Sequence, residues 1–258
     1  MSFIITEIEN AVLKIKLNRP DKFNSFNREM ALQLQDALKK AEDDKTIRAV
    51  YLTAEGKAFC AGQDLAEAVD PQGPGIKKIV EEHYNPIVKL IRSIEKPIVC
   101  GVNGVAAGAG ANIALACDIV IANESASFIQ AFSKIGLIPD SGGTFFLPRL
   151  VGFQRASALM MLGDKLTAQE AYTFGMLYKV VGSDELDLAG MQLANTLADM
   201  PTIGIGLTKR LLNESMTNNY DQQLKREGEL QVEAANTHDH KEGVQAFLEK
   251  RKPVFKGE

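Results

Sequence analysis

The segment from Pro97 to Ala122 most constrains what this chain can fold into. It is long and apolar enough to be caught by a hydropathy window for membrane-spanning helices. Asn103, Asn112 and Asp118 nevertheless fall inside it, and its glycines and alanines supply little transfer energy. It reads instead as a buried strand, a glycine turn, a buried helix and a second buried strand. No membrane association is expected from it.

The rest of the chain supplies a setting for such a core. There are 258 residues, 45% of them apolar, which suffices for one large domain or a core with a helical appendage. The net charge is −4, without the basic excess of a nucleic-acid or anionic-membrane binder. Cys60, Cys100 and Cys117 lie in apolar or glycine-rich runs with no CxxC spacing. That pattern opposes a disulfide framework and fits a reducing cytosol. No basic stretch precedes an apolar one at the N-terminus, so a cytoplasmic location is expected.

Strand signals cover Phe3 to Glu9 and Val12 to Leu17, where Leu13, Ile15 and Leu17 alternate with Lys14 and Lys16. Asn27 is placed to cap a helix from about Arg28 to Asp43. Ile47 to Thr53 predicts a strand, Phe59 to Leu65 a loop, and Ile76 to Ile94 one helix ended by Lys96-Pro97. Strand Ile98 to Val102, helix Gly108 to Ala116 and strand Ile119 to Ala122 follow, an α/β alternation. Beyond Pro139 the signals are almost all helical, with a capping box at Thr167 and Glu170 and a stop at Gly175. No internal repeat is evident. The expected division is an α/β core over 1–195 and a helical part over 196–258.

Three clusters are able to carry chemistry. Phe59 to Leu65 contains small residues that let main-chain amides approach a ligand, or forms an ordinary tight turn. Asn103 to Asn112 is a glycine-rich turn opening a helix, suited to an anion or oxyanion and equally to close helix–strand packing. A dinucleotide fingerprint fails there, since Ile113 occupies its third glycine position and Asp118 comes too soon. In Ile135 to Thr144, Asp140 sits among apolar residues and glycines, either as a desolvated base or as the cap of the next helix. His83 and His238-Asp239-His240 read as solvated surface, and no metal set or nucleophile elbow is evident.

The ordered set of motifs resembles the enoyl-CoA hydratase/isomerase (crotonase) superfamily over essentially the whole chain. It comprises Asn18-Arg19-Pro20 with Asn24-Ser25-Phe26-Asn27, Ala61-Gly62-Gln63-Asp64-Leu65, Asn103-Gly104, the Gly108 turn, Asp118-Ile119, and Gly136 to Thr144. Lys250-Arg251-Lys252 with Phe255-Lys256 completes it. The resemblance implies a ββα spiral core, with C-terminal helices forming a homotrimer or a dimer of trimers. It implies an acyl-CoA thioester substrate, with no cofactor beyond its coenzyme A. The amides of Gln63 and Ala109 would form an oxyanion hole for the thioester carbonyl. Ala61, Gly62, Asp64 and Leu65 would line the coenzyme site. Lys22, Phe23, Phe255 and Lys256 would contact the coenzyme, the last two across a subunit boundary.

Departures from the family pattern bear on the reaction. A hydratase of this family carries two glutamates where Asn112 and Phe132 stand here, and neither of these is a general base. Asp140 falls where some isomerases and dehalogenases of the family carry an aspartate. Stretches such as Tyr84-Asn85-Pro86 and Ala131 through Asp140 are similar to the isomerases of phenylacetate degradation that act on ring-1,2-epoxyphenylacetyl-CoA. The resemblance therefore implies an acyl-CoA isomerase with Asp140 as its single acid–base, by ring expansion or a double-bond shift. Tyr84, Asn112 and Phe132 would shape the acyl pocket. Enoyl-CoA hydration and a non-catalytic acyl-CoA-binding scaffold are the alternatives. Dehalogenation is disfavoured, because relatives doing it use a tryptophan and this chain has none.

Overall fold

The computed structural model describes residues 2–258. Its strands are β1 (Ile4–Glu9), β2 (Val12–Leu17), β3 (Ala49–Ala54), β4 (Ala58–Cys60) and β5 (Ile98–Val102). They continue with β6 (Val105–Ala107), β7 (Ile119–Asn123), β8 (Ser127–Ile129), β9 (Lys165–Thr167) and β10 (Lys179–Val181). One six-stranded sheet runs β1-β2-β3-β5-β7-β10 and a smaller one runs β4-β6-β8-β9. Only β1–β2 and β8–β9 pair antiparallel. The first hairpin turns on Asn10 and Ala11, both at positive φ, as a two-residue turn that matches strand twist requires.

Each of β3, β5 and β7 passes after a few residues into a short strand of the second sheet, and a helical stretch returns the chain. These three turns of ββα form the spiral. The corners stack on each other: Asn103 Nδ2 donates to Gly56 O at 2.9 Å, and Asn123 Nδ2 donates to Asn103 O at 2.6 Å. Gly104 is required there, since a Cβ would meet Lys57 O at 2.1 Å.

Most of the expected elements form within a residue or two of their predicted ends. Asn27 caps helix Arg28–Asp43 by accepting from Met30 N at 3.0 Å, and seven of its residues face the core. The capping box at Thr167 and Glu170 is present, and Gly175 follows that helix at φ +89°. Helix Leu186–Ala198 lays Met191, Ala194 and Ala198 on Val12, Ala49, Tyr51 and Val99 of the large sheet. Beyond it run helices Thr202–Glu214, Tyr220–Ala235 and His238–Glu249. The three cysteines are buried and free. Among the described residues, no helix is long and apolar enough to cross a membrane, and no cluster of three potential metal ligands occurs.

Two expectations are corrected. The predicted helix Ile76 to Ile94 starts at Gly75 and widens to π geometry over Ile79–Tyr84 before resuming as Asn85–Ser93. Pro86 lacks the N–H that would close a normal turn. Gln35 Nε2 compensates by donating to Glu82 O at 2.7 Å and His83 O at 3.2 Å. The histidine readings fail at His83, which is fully buried rather than solvated, and burial lowers its pKa. Asp239 is likewise buried, its carboxylate accepting from Lys256 N and Gly257 N, both at 2.7 Å.

Candidate active site

A cavity of about 400 Å³ opens between the loop after β4, the widened helical turn, the start of helix Ala109–Ala116 and the segment Ala131 to Asp140. Phe26 holds the first of these loops from both sides. Its N–H donates to Gly62 O at 2.7 Å and its carbonyl accepts from Asp64 N at 2.8 Å. Between those two bonds the Gln63 N–H donates to no acceptor among the described residues. Ala109 is the first residue of its helix, so its N–H has no carbonyl one turn back and is also unengaged.

These amides come from chain segments in contact. A Cβ on Gly62 would stand 3.7 Å from Ala109 N and 3.1 Å from Ala107 O. Gly62 adopts φ +90° and Gly108 φ +53°, both in the region that favours glycine. Phe132 packs against the same turn, its Cζ lying 3.7 Å from where a Gly108 Cβ would be. Two free donors, reinforced by the positive end of a helix dipole, can hold an oxygen that gains charge.

Asp140 lines the cavity as its only carboxylate. Burial pushes its pKa up, opposed by a hydrogen bond from Ser141 Oγ at 2.8 Å. The capping alternative does not hold, because helix Gly143–Val151 begins after Gly142 with no side-chain cap. Asp140 is instead fixed by its main chain, whose carbonyl accepts from Gly143 N and Asn112 Nδ2, both at 2.9 Å. Asn112 is fully buried behind the cavity wall, and its Oδ1 accepts from Gln130 Nε2 at 2.8 Å.

The structure brings Lys22, Ala61, Gly62, Gln63, Leu65, Tyr84, Ala109, Phe132 and Asp140 to this one cavity. Phe23 is more than half exposed beside Lys22. Asp64 turns away, pairing with Arg19 at 2.7 Å; burial resists its ionisation, but Arg19 and the Ala66 amide hold its pKa below the usual range. Phe255 and Lys256 lie outside the cavity; Phe255 lines a groove among the C-terminal helices. Sequence reasoning assigns no individual role to Ser25, Ile76, Ile79, Val80 and Leu137, which stand in the walls, or to Glu67, which accepts from Gln63 Nε2 at 2.9 Å. Only the helical period of Ile76, Ile79 and Val80 hinted at a shared face.

A family profile described as enoyl-CoA hydratase/isomerase matches residues 7–258. The chain is 50% identical to 1,2-epoxyphenylacetyl-CoA isomerase of Escherichia coli (strain K12), over all of this chain and 99% of that one. It is 36% identical to trans-2-decenoyl-[acyl-carrier-protein] isomerase of Streptococcus mutans, over 98% of each. A crystal structure of an enoyl-CoA hydratase/isomerase from Mycobacterium abscessus superposes with a TM-score of 0.94 at 38% identity, covering 99% of this chain and 100% of that one. With spiral core, free amide pair and full-length likeness agreeing, the chain belongs to the enoyl-CoA hydratase/isomerase family.

Proposed function

We propose that this enzyme is an acyl-CoA isomerase that stabilises a thioester enolate, with Gln63 and Ala109 amides holding the oxygen and Asp140 moving the proton. One observation carries the reading: two unengaged amides and a single, desolvated carboxylate share one cavity. In a double-bond shift the Asp140 carboxylate takes a proton from the carbon beside the thioester carbonyl. The C–H electron pair passes into the enolate, and the negative charge develops on the oxygen facing the amides. Asp140 then returns the proton at the far end of the conjugated system, regenerating the carboxylate. Only interactions stronger with the enolate than with the neutral thioester accelerate this step, and one such donor contributes about 3 kcal/mol.

The substrate we favour is a ring-1,2-epoxyphenylacetyl-CoA, on the strength of the E. coli relative. Lys22, Ala61, Gly62 and Leu65, which line the cavity, would contact the coenzyme. Phe255 and Lys256 would reach a neighbour's coenzyme in a trimer built on the C-terminal helices, where Tyr220, Phe247 and Leu248 are exposed. The division at residue 195 and a cytoplasmic location belong to the same proposal. The hydratase pattern of the family places two glutamates in the pocket, whereas Asp140 is the one carboxylate among the residues that line this cavity.

The test is incubation of the purified enzyme with the epoxide thioester, with cis-3-enoyl-CoAs and with crotonyl-CoA, followed by mass spectrometry. Isomerisation leaves product mass unchanged. Gain of one water from crotonyl-CoA as the dominant reaction would replace this reading with hydration, and binding without turnover would make the protein a scaffold.

A further inference from the structure

The Gln63 side chain lies in a chain of hydrogen bonds whose direction is fixed at one end. Glu67 accepts the Arg28 N–H at 2.9 and 3.1 Å on its two oxygens, and a carboxylate has no proton to give. The group facing Glu67 Oε2 at 2.9 Å must therefore be the Gln63 Nε2 donor, which also points at Asp64 O at 3.4 Å. Two acceptors on that side fix the amide orientation, so Gln63 Oε1 faces Tyr84. The Tyr84 hydroxyl must then donate to Oε1, and the distance is 2.9 Å.

A phenol has one proton, and in Tyr84 it is committed. Tyr84 lines the cavity, and no other group among the described residues donates to its oxygen. The residue is 1% exposed and stacked edge-on against Phe26 at 5.9 Å, so its ring has no freedom to turn away. Burial holds its pKa far above the usual tyrosine value, so it stays a phenol.

We propose that Tyr84 is a specificity-determining residue. With its proton given to Gln63 Oε1, its oxygen can only accept from a ligand, so the cavity prefers acyl groups that present a hydroxyl or N–H to that wall over acyl groups presenting only an acceptor there. This rests on the reading of the cavity as an acyl-CoA site. An epoxide or carbonyl oxygen is turned away from Tyr84, since two lone-pair bearers facing each other leave both unsatisfied. Glu67 sets this polarity without touching the ligand.

The experiment measures, by calorimetry, the affinity of wild-type enzyme for phenylacetyl-CoA and its 2-, 3- and 4-hydroxy and 2-, 3- and 4-fluoro derivatives. At the ring position facing Tyr84, the hydroxy compound is expected to bind about ten-fold tighter than the fluoro one. Tyr84→Phe removes that preference. Glu67→Gln goes further: its carbonyl keeps the Arg28 N–H and its NH₂ turns toward Gln63, which must flip and offer its own NH₂ to Tyr84. The Tyr84 proton is then released to the cavity, and the preference moves toward acceptors. Wild-type affinities equal within two-fold in all three hydroxy/fluoro pairs overturn the inference while leaving the acyl-CoA reading intact. Retention of the hydroxyl preference in Tyr84→Phe or Glu67→Gln overturns it as well. Failure of every thioester to bind overturns the acyl-CoA reading and this inference with it.

Discussion

Asn112 Nδ2 donates to the main-chain carbonyl of Asp140 at 2.9 Å, so the proposed acid–base is held through its backbone while its carboxylate, bonded among the described residues only by Ser141 Oγ at 2.8 Å, lines the cavity. Gly143 closes over the same amide; a Cβ there would lie 2.3 Å from Asn112 Nδ2. Truncation by Asn112→Ala orphans Gln130 Nε2 in a buried place and takes one of two donors from the Asp140 carbonyl, which keeps the Gly143 N–H. The expected loss is about 1–3 kcal/mol of stability for the orphaned group, together with a fall in kcat as Asp140 drifts. Urea unfolding and steady-state kinetics measure both, and unchanged kcat in a folded variant would remove Asn112 from this positioning role.

Replacing Asp140 by Asn removes the proton carrier and little else from the cavity. Turnover is expected to fall by roughly 10²–10⁴ with thioester affinity nearly retained; wild-type turnover in the variant would exclude Asp140 as the base. The same substitution has a signed effect on stability. Burial raises the folded pKa of Asp140 above its unfolded value. Its contribution is therefore fully favourable below the unfolded pKa and is lost as pH rises through the folded pKa. Asp140→Asn should melt higher than wild type at neutral pH, and the gap should close once pH drops below the ordinary aspartate range. In the wild type, activity should fall on the acid side at a pH above that range.

The elements that could be read from the sequence are those that repeat a period or carry their own cap. β2 alternates over six residues, and Asn27 and Thr167 bond their own helices. The second sheet escaped notice because β4, β6, β8 and β9 are three residues each, too short to show alternation, and β6 is Val-Ala-Ala. The spiral repeat escaped for a related reason: its corners are joined by Asn103 and Asn123 amides to backbone carbonyls, which impose no repeated side-chain text. His83 was misplaced because Glu81 and Glu82 beside it advertise a surface, whereas the wide turn forced by Pro86 rotates it inward. The site was legible only in part. The roles proposed for Gln63 and Ala109 belong to amides that every residue has, so nothing but the family resemblance points to them.

Gly62 makes the amide pair sensitive to a single methyl group. At φ +90° an alanine is strained, and its Cβ would press on Ala107 O at 3.1 Å. Gly62→Ala should cost about 1–3 kcal/mol of stability and, by tilting the following peptide, lower kcat about ten-fold or more with a smaller change in KM. Gly108→Ala is the comparison: at φ +53° and with only Phe132 carbons at 3.7 Å, it meets strain but no hard contact. A folded Gly62→Ala enzyme that keeps the wild-type kcat would show that the Gln63 amide does not hold the reacting oxygen.

Asp118, which a dinucleotide reading would have sent to a ribose, anchors the helical part instead. Its Oδ1 meets Arg92 Nη1 at 3.0 Å, and its Oδ2 meets Lys209 Nζ at 2.8 Å while also accepting the Ile98 N–H at 2.9 Å. Arg92 continues to Asn213 Oδ1 through Nε at 2.9 Å and Nη2 at 2.5 Å, so two residues of helix Thr202–Glu214 dock on one cluster. Lys209 is only 5% exposed, and burial lowers its pKa even with Asp118 beside it. Removing the shared anion leaves two cations facing each other, whereas removing one cation leaves an anion that still has Arg92 and a backbone N–H. Asp118→Asn should therefore destabilise by about 3–5 kcal/mol, and Lys209→Met, which keeps the packed stem, by distinctly less. Urea unfolding of the two variants decides the point: a Lys209→Met penalty equal to or larger than that of Asp118→Asn would mean that helix packing rather than the shared carboxylate holds this junction.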